Sequence, residues 1–175
     1  MSKAEALKEQ INMTRFVVDS TMKDVTQEDC MKAVSGTAHP IGATYAHTVQ
    51  SEDFILSMMI RGTTPLMMGP FAGKTGASEP PPPPTATADQ ILAWAKSVEI
   101  DFPALKEYEK AVRAATDEYL ASASDEELSR KVDFGQLGPT PVSVVLGLAT
   151  IVHPSNHVGE ISALKGIFEK TGYGF

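Results

Sequence analysis

A glycine- and proline-rich segment, residues 62–86, divides the chain and limits its possible folds more than any other feature. It reads GTTPLMMGPFAGKTGASEPPPPPTA. Because proline fixes its own φ and lacks an amide hydrogen, neither a helix nor a central strand passes through such a segment. We expect a long crossover connection here, with Pro80–Pro84 as a short polyproline II spacer. Its apolar residues should cover one end of the core: Leu66, Met67, Met68 and Phe71.

Two long helices are predicted before this segment. The first runs from about Ser2 to about Asp24 and opens with an S-x-x-E capping box, which satisfies free amide donors at a helix start. A short helical turn is expected over 26–34. The second helix runs from about Pro40, which suits a first turn, to about Arg61. It is apolar around much of its circumference, which predicts that it is well buried.

The second half of the chain also reads as helix. A long region from about Thr87 to Ala121 should break near Pro103, and Ser124 should cap a short helix after it. The final helix is expected to begin at Thr140–Pro141 and to reach about residue 170. No strand pattern is evident. The sequence therefore predicts an all-α fold, a four-helix bundle with a long crossover connection between its second and third helices.

Size and charge limit the classes of function. With 175 residues, the chain should form a single domain over 1–175. Its net charge of −7 disfavours nucleic acid and anionic membranes as partners. The start MSKAEALKEQ does not resemble a signal peptide, and no apolar run would span a bilayer, so we expect a cytoplasmic protein. The lone cysteine, Cys30, is expected to be a small half-buried hydrophobic residue.

The final helix carries two histidines and a glutamate where apolar residues are expected. Steps of three and four give one predicted core-facing seam: Leu146, Thr150, His153, His157, Glu160, Leu164 and Ile167. A buried polar group without a partner is costly, so the middle of this seam needs partners. Each histidine could be bonded to a backbone carbonyl or a hydroxyl. The i, i+4 spacing also lets both imidazoles reach one cation.

A third ligand would have to come from another helix. The other histidines are His39 and His47. His39 precedes Pro40 and is expected to lie outside the helix, whereas His47 lies within it. His47, His153 and His157 could form a three-histidine site with open positions for water or substrate. Glu160 is a candidate fourth ligand, general base or hydrogen-bond acceptor that orients an imidazole. Glu52 and Asp53 are weaker candidates, with helix-surface charge as their alternative reading.

Over its whole length the chain resembles the DinB/YfiT-like metalloenzymes. The stretch PIGATYAHTVQSEDFIL resembles the family's second helix, in which an acidic pair follows a ligand histidine. The stretch HPSNHVGEI resembles the family's final H-x-x-x-H and the glycine-containing motif after it. The resemblance implies that His47, His153 and His157 bind a divalent metal, often nickel or zinc, and that the protein forms a homodimer. It also implies chemistry such as S-transfer or isomerisation with a low-molecular-weight thiol.

Three positions depart from the family pattern. Val158 stands where a basic residue is usual, Glu160 stands where glutamine is frequent, and Pro154 directly follows the first motif histidine. The ligands themselves are kept, although a specific thiol is not implied. Proline should disfavour helix at His153, so we predict a kink or widened turn between His153 and His157.

The leading hypothesis is a metal-dependent enzyme that activates water or a thiol by Lewis-acid chemistry. Glu160 would orient a ligand or move a proton, and the connection at 62–86 would wall the pocket. The main alternative is a noncatalytic dimeric bundle with a structural metal or none, acting as a binding or stress-associated module. A helical regulator that binds nucleic acid is disfavoured by the acidic charge.

Overall fold

The fold is mainly helical, as expected. The computed structural model describes residues 2–83 and 86–174. The first half contains α1 (Lys3–Met22), α2 (Gln27–Met31) and α3 (Ile41–Phe54), which continues as a first π-turn (Ile55–Ile60), then a 3₁₀ turn (Leu66–Met68). The second half begins with the helices α4 (Ala88–Ser97), α5 (Phe102–Ser122) and α6 (Asp125–Ser129). A short hairpin follows, made of β1 (Lys131–Asp133), a 3₁₀ turn (Gly135–Leu137) and β2 (Pro139–Pro141). The chain ends with α7 (Val142–Gly147), a second π-turn (Leu148–Val152) and α8 (His153–Ile167).

Local capping signals set several of these boundaries. Ser2 and Glu5 form the predicted capping box at the start of α1, and Thr87 and Gln90 form another at the start of α4. The Ser124 side chain accepts a hydrogen bond from the third residue of α6. Such caps satisfy amide donors that have no partner within the helix. The predicted break in the third region is confirmed between α4 and α5.

The final helix begins one residue later than predicted. Thr140 and Pro141 belong to β2, which pairs antiparallel with β1 in the register Val132↔Thr140, and the helix begins at Val142. The expectation that the chain contains no strand is therefore wrong. Three-residue strands are too short to show the alternation of apolar and polar residues by which a strand is recognised. The helix ends at Ile167 rather than near residue 170.

The apolar core consists of two clusters. The first joins α1, α3, α4, α5 and α8, with Tyr45, Leu105 and Ile161 fully or almost fully buried. The second joins the start of α1, the first π-turn, α6 and α7. The helix α3 contacts both α5 and α8, and α1 also contacts both. We refer to α7, the second π-turn and α8 together as the final helix. Among residues 2–83 and 86–174, no helix combines the length and apolarity that crossing a membrane requires.

Asp53 fixes the connection at 62–86 to α3. Its buried carboxylate accepts hydrogen bonds from the amides of Leu66 and Met67, both at 2.9 Å, from the Tyr108 hydroxyl at 2.7 Å and from the Ser57 hydroxyl at 3.1 Å. Asp53 is therefore neither surface charge nor part of the histidine cluster. The same contacts hold the start of the connection against the core.

The apolar residues of the connection cover the core as predicted, with one exception. Leu66, Met67 and Phe71 pack against the first cluster, whereas Met68 is 62% exposed. Pro84 of the predicted polyproline II spacer lies outside the described residues, and that spacer stays a prediction. Cys30 is fully buried rather than half-buried. Burial raises the pKa of its thiol to about 12, which makes it an unreactive core cysteine.

Candidate metal centre

The second π-turn moves the two histidines of the final helix from the core to its flank. The His153 amide bonds the Leu148 carbonyl, five residues back rather than four, so this turn takes up one extra residue. Each residue of an α-helix turns the chain by about 100°, so every later position shifts by one. The buried positions of α8 are accordingly Pro154, Val158, Ile161, Leu164 and Lys165. Of the four positions predicted there, only Leu164 is buried, and His153, His157 and Glu160 are not. His153 and His157 are half-buried, and Ile167 is 71% exposed.

Pro154 acts one turn earlier than we predicted. The widened turn precedes His153, and α8 is regular between His153 and His157. The prediction of a widened turn between the ligands is therefore wrong in position, as is the expectation that His153 itself would not be helical. Because the π-turn interrupts the regular hydrogen bonds, Pro154 becomes the second residue of a new α-helical segment. A proline costs little there, because its missing amide hydrogen would have no regular partner.

Three imidazoles meet where α3 passes the final helix. His153 Nε2 lies 3.1 Å from His47 Nε2 and 3.0 Å from His157 Nε2. The ring planes are nearly perpendicular, at 74° to 89° to one another. One ring nitrogen from each histidine lies within 4.8 Å of the other two. The structure thus brings together the three residues that the sequence selected, although on the flank of the helices.

The spacing of these nitrogens suits a shared cation. Two nitrogens at about 2.0–2.1 Å from one ion lie about 2.9 Å apart at a right angle and about 3.3 Å apart at the tetrahedral angle. The two Nε2 separations around His153 fall within this interval. The imidazole ligands would need no large rearrangement to point their lone pairs at one centre.

The hydrogen-bond partners of the ring nitrogens also favour a shared cation. Glu160 Oε2 lies 2.7 Å from His157 Nδ1, so this nitrogen donates and a neutral His157 presents a lone pair at Nε2. His153 Nε2 faces two other ring nitrogens, and one proton there can serve only one of these contacts well. His153 Nδ1 is buried and has no hydrogen-bond partner among the described residues. The arrangement fits a cation held by three lone pairs better than it fits a hydrogen-bond network.

Burial keeps two of the imidazoles neutral. Burial, together with the neighbouring His157 and His39, lowers the pKa of His47 to about 4. Burial together with the neighbouring His157 and His47 lowers the pKa of His153 to about 3. Neutral imidazole is the form that binds a metal ion, so both side chains are ready to act as ligands at neutral pH.

The other candidate residues are placed differently. Glu160 contacts only one member of the cluster, through His157, and its side chain is 58% exposed. Glu52 accepts a hydrogen bond from the Thr116 hydroxyl at 2.7 Å, and burial raises the pKa of the Glu52 carboxyl. Glu52 and Asp53 are thus both turned inward, and neither weaker ligand assignment is supported. His39 precedes α3, as expected, and is half-buried.

Sequence reasoning missed a polar interior. A cavity of about 30 Å³ is lined by residues of α1, α3, α5 and the final helix, among them Arg15, Glu52, Glu109 and Arg113. Arg113 pairs with Asp19 through two bonds of 2.9 Å and also contacts Glu109. The volume suits one or two water molecules. Among the described residues, none from 62–86 lines this cavity, so the predicted wall function does not apply to it.

Comparison with known proteins identifies a family and a similar solved structure. The family model described as the DinB superfamily matches residues 10–161. The crystal structure of a conserved protein from Enterococcus faecalis superposes with a TM-score of 0.75 and 20% sequence identity. The alignment covers 95% of this chain and 99% of the Enterococcus faecalis chain. At this identity the likeness concerns the fold alone. No significant match was found among curated proteins.

Proposed function

Because the chain belongs to the DinB superfamily, we propose that His47, His153 and His157 bind a divalent cation as the reactive centre of a metal-dependent enzyme. The observation that carries this proposal is the convergence of three Nε2 atoms around His153, at separations of 3.0 and 3.1 Å. Nickel and zinc are the metals we expect, since imidazole nitrogen suits both.

Each residue of the proposed site has a separate role. The three imidazoles hold the cation, and two of them stay neutral through burial. Glu160 accepts the hydrogen bond from His157 Nδ1, which fixes the ring so that Nε2 faces the centre. A divalent cation bound there supplies Lewis acidity, which lowers the pKa of a water or thiol. Glu160 is exposed enough to exchange a proton with solvent, so it is our candidate to move a proton at Oε2.

The reaction class follows from these roles. A Lewis-acidic centre beside a carboxylate is suited to S-transfer, isomerisation or hydrolysis, with a low-molecular-weight thiol as a possible co-substrate. The alternative that we retain is a noncatalytic bundle with a structural metal or none. A ligand set of three histidines supports the enzyme, because catalytic zinc sites commonly have three protein ligands and structural sites four.

We also propose the finer architecture and the assembly. The four long helical runs form a four-helix bundle, 62–86 is its crossover connection, and residues 1–175 form one domain. The protein is proposed to act in the cytoplasm as a homodimer, with neither nucleic acid nor a membrane as partner. Light scattering during gel filtration tests the assembly, since a dimer has twice the 18.7 kDa mass of one chain.

Elemental analysis of tag-free protein tests the metal site. We expect about one zinc or nickel ion per chain in the wild type, and its loss in His47→Ala. His39→Ala is the matched control, because His39 lies outside the cluster. Added zinc or nickel should raise the melting temperature of metal-free wild type and of the control, since a ligand that binds only the folded state stabilises it. Metal-free protein that gains no thermal stability from either ion would refute the proposal.

A further inference from the structure

We infer that the histidine site takes a neutral ligand with an apolar tail, which lies on an uncharged face beside the histidines. We define this apolar face by Phe54, Met58, Val144, Leu148 and Val152. The inference rests on the proposed metal site, where the head group of the ligand would bind. It adds a chemical class of ligand to that site.

The chain direction places this face next to the cluster. His47 meets His153, and the first π-turn, which follows α3, contacts α7, which precedes the second π-turn. The helix α3 and the final helix are therefore antiparallel. Residues after His47 run beside residues before His153. Phe54 is seven positions after His47 and lies on the same side of α3, because seven residues make nearly two helical turns. Val152 directly precedes His153.

The side chains of the face are accessible. Met58 is 41% exposed, Val144 48% and Val152 47%, while Phe54 and Leu148 are half-buried. Exposed apolar groups that adjoin a polar site commonly mark a place where a ligand binds. Scattered exposed methionines elsewhere lack this connection to a cluster of metal-binding groups.

The face also lacks charge, although 21% of the chain is charged. Residues 142–158 contain no Asp, Glu, Lys or Arg. Within 41–60 only Glu52 and Asp53 are charged, and both are turned inward, with the Glu52 side chain 13% exposed and Asp53 1% exposed. A charged substrate would find no oppositely charged side chain here. A neutral tail that covers this face would not remove water from any charged side chain.

Its size favours a small molecule over a second protein. Five partly exposed apolar side chains offer on the order of 300 Å², which is ordinary for a functional patch on a monomer. A stable interface between proteins buries about 800 Å² on each partner. The patch is thus too small for a stable interface by itself, whereas a hydrocarbon tail of several carbons would be largely covered by it.

A series of n-alkylhydroxamic acids tests this inference. The head group binds metal ions after losing its N-hydroxyl proton to the solvent, and only the uncharged alkyl tail changes along the series. Calorimetry would measure their affinity for zinc-loaded wild type, from the two-carbon to the eight-carbon compound. We expect the affinity to rise about threefold to fourfold per added methylene, the gain typical of burying a CH₂ group. Equal affinity along the series would overturn the inference while leaving the metal site intact. Protein that holds no zinc and binds no hydroxamate would overturn both.

Two charge substitutions locate the tail. Met58 follows His47 by eleven residues, about 16 Å along the helix. Met58→Lys should therefore remove the affinity gained by the longest compounds without changing the affinity of the two-carbon compound. Met13→Lys is the matched control, since Met13 is 65% exposed on α1 and lies outside the apolar face. It should preserve the wild-type series. If both variants give the wild-type series, or both lose it equally, the tail does not lie on this face and the inference is wrong.

Discussion

Mild acid should destabilise the metal-free protein through His47 and His153. Their pKa values in the fold are lowered to about 4 and about 3, chiefly by burial, from a usual value of 6.5. Below pH 6.5 the unfolded chain binds more protons at these positions than the folded chain does. The stability that the two neutral imidazoles supply is therefore fully present above pH 6.5 and is lost as the pH falls toward 4.

The size of the effect follows from these values. At pH 5 both folded imidazoles remain largely neutral, whereas about 97% of an unfolded histidine is protonated. Between pH 7 and pH 5 each histidine then costs about 2 kcal/mol of unfolding free energy, or about 4 kcal/mol for the pair. That is a large part of the ~5–15 kcal/mol typical of a domain. The result depends little on the folded pKa values as long as both stay below 5.

Urea unfolding at pH 7, 6 and 5 in the presence of a chelator measures this loss. The double variant His47→Gln/His153→Gln should lose about 4 kcal/mol less than the wild type over this range. His39→Gln should behave as the wild type does. Subtracting the variant removes the contribution of carboxylates such as Asp29, whose pKa the Lys170 hydrogen bond lowers despite burial. A double variant as sensitive to acid as the wild type would refute the reasoning.

Two further predictions concern the anchor of the connection and the support of the site. Asp53→Asn keeps the shape but leaves two of the four donors around the carboxylate poorly paired, so we expect a loss of about 2–4 kcal/mol in urea unfolding. Loss below about 1 kcal/mol, the value of one ordinary hydrogen bond, would contradict this role. Glu160→Gln removes the charged acceptor for His157 and should weaken zinc binding roughly tenfold in a competition titration, with little effect on the stability of the metal-free protein. Unchanged zinc affinity would show that Glu160 does not orient the ring.

Local signals account for what the sequence could predict. Capping at Ser2, Thr87 and Ser124 depends on residues three positions apart. These helix starts can therefore be predicted from the sequence without knowledge of the tertiary structure. The three clustered histidines could be predicted for another reason, because their spacing and their position in otherwise apolar helices set them apart. The family match over residues 10–161 confirms the resemblance.

What could not be predicted depends on contacts between distant residues. The register of buried positions after Leu148 changes because a π-turn takes up one extra residue. The pattern of apolar residues in the sequence does not indicate this turn. The inward orientation of Glu52 and Asp53 depends on partners far along the chain, Thr116 and Tyr108. From the sequence alone, two neighbouring acidic residues could equally be buried or form part of a charged helix surface.

The extra residue in the final helix also affects how related chains should be aligned. Leu148–Val152 contains one residue more than a regular helix would need to join the apolar stripe of α7 to that of α8. A relative one residue shorter should have its gap placed within this turn, not among the histidines. Such a chain could have a straight final helix and still present its H-x-x-x-H pair on the same flank. Positions after the turn would then correspond when counted back from Val158, and positions before it when counted from Leu146. Counting across the turn would shift the two histidines by one residue.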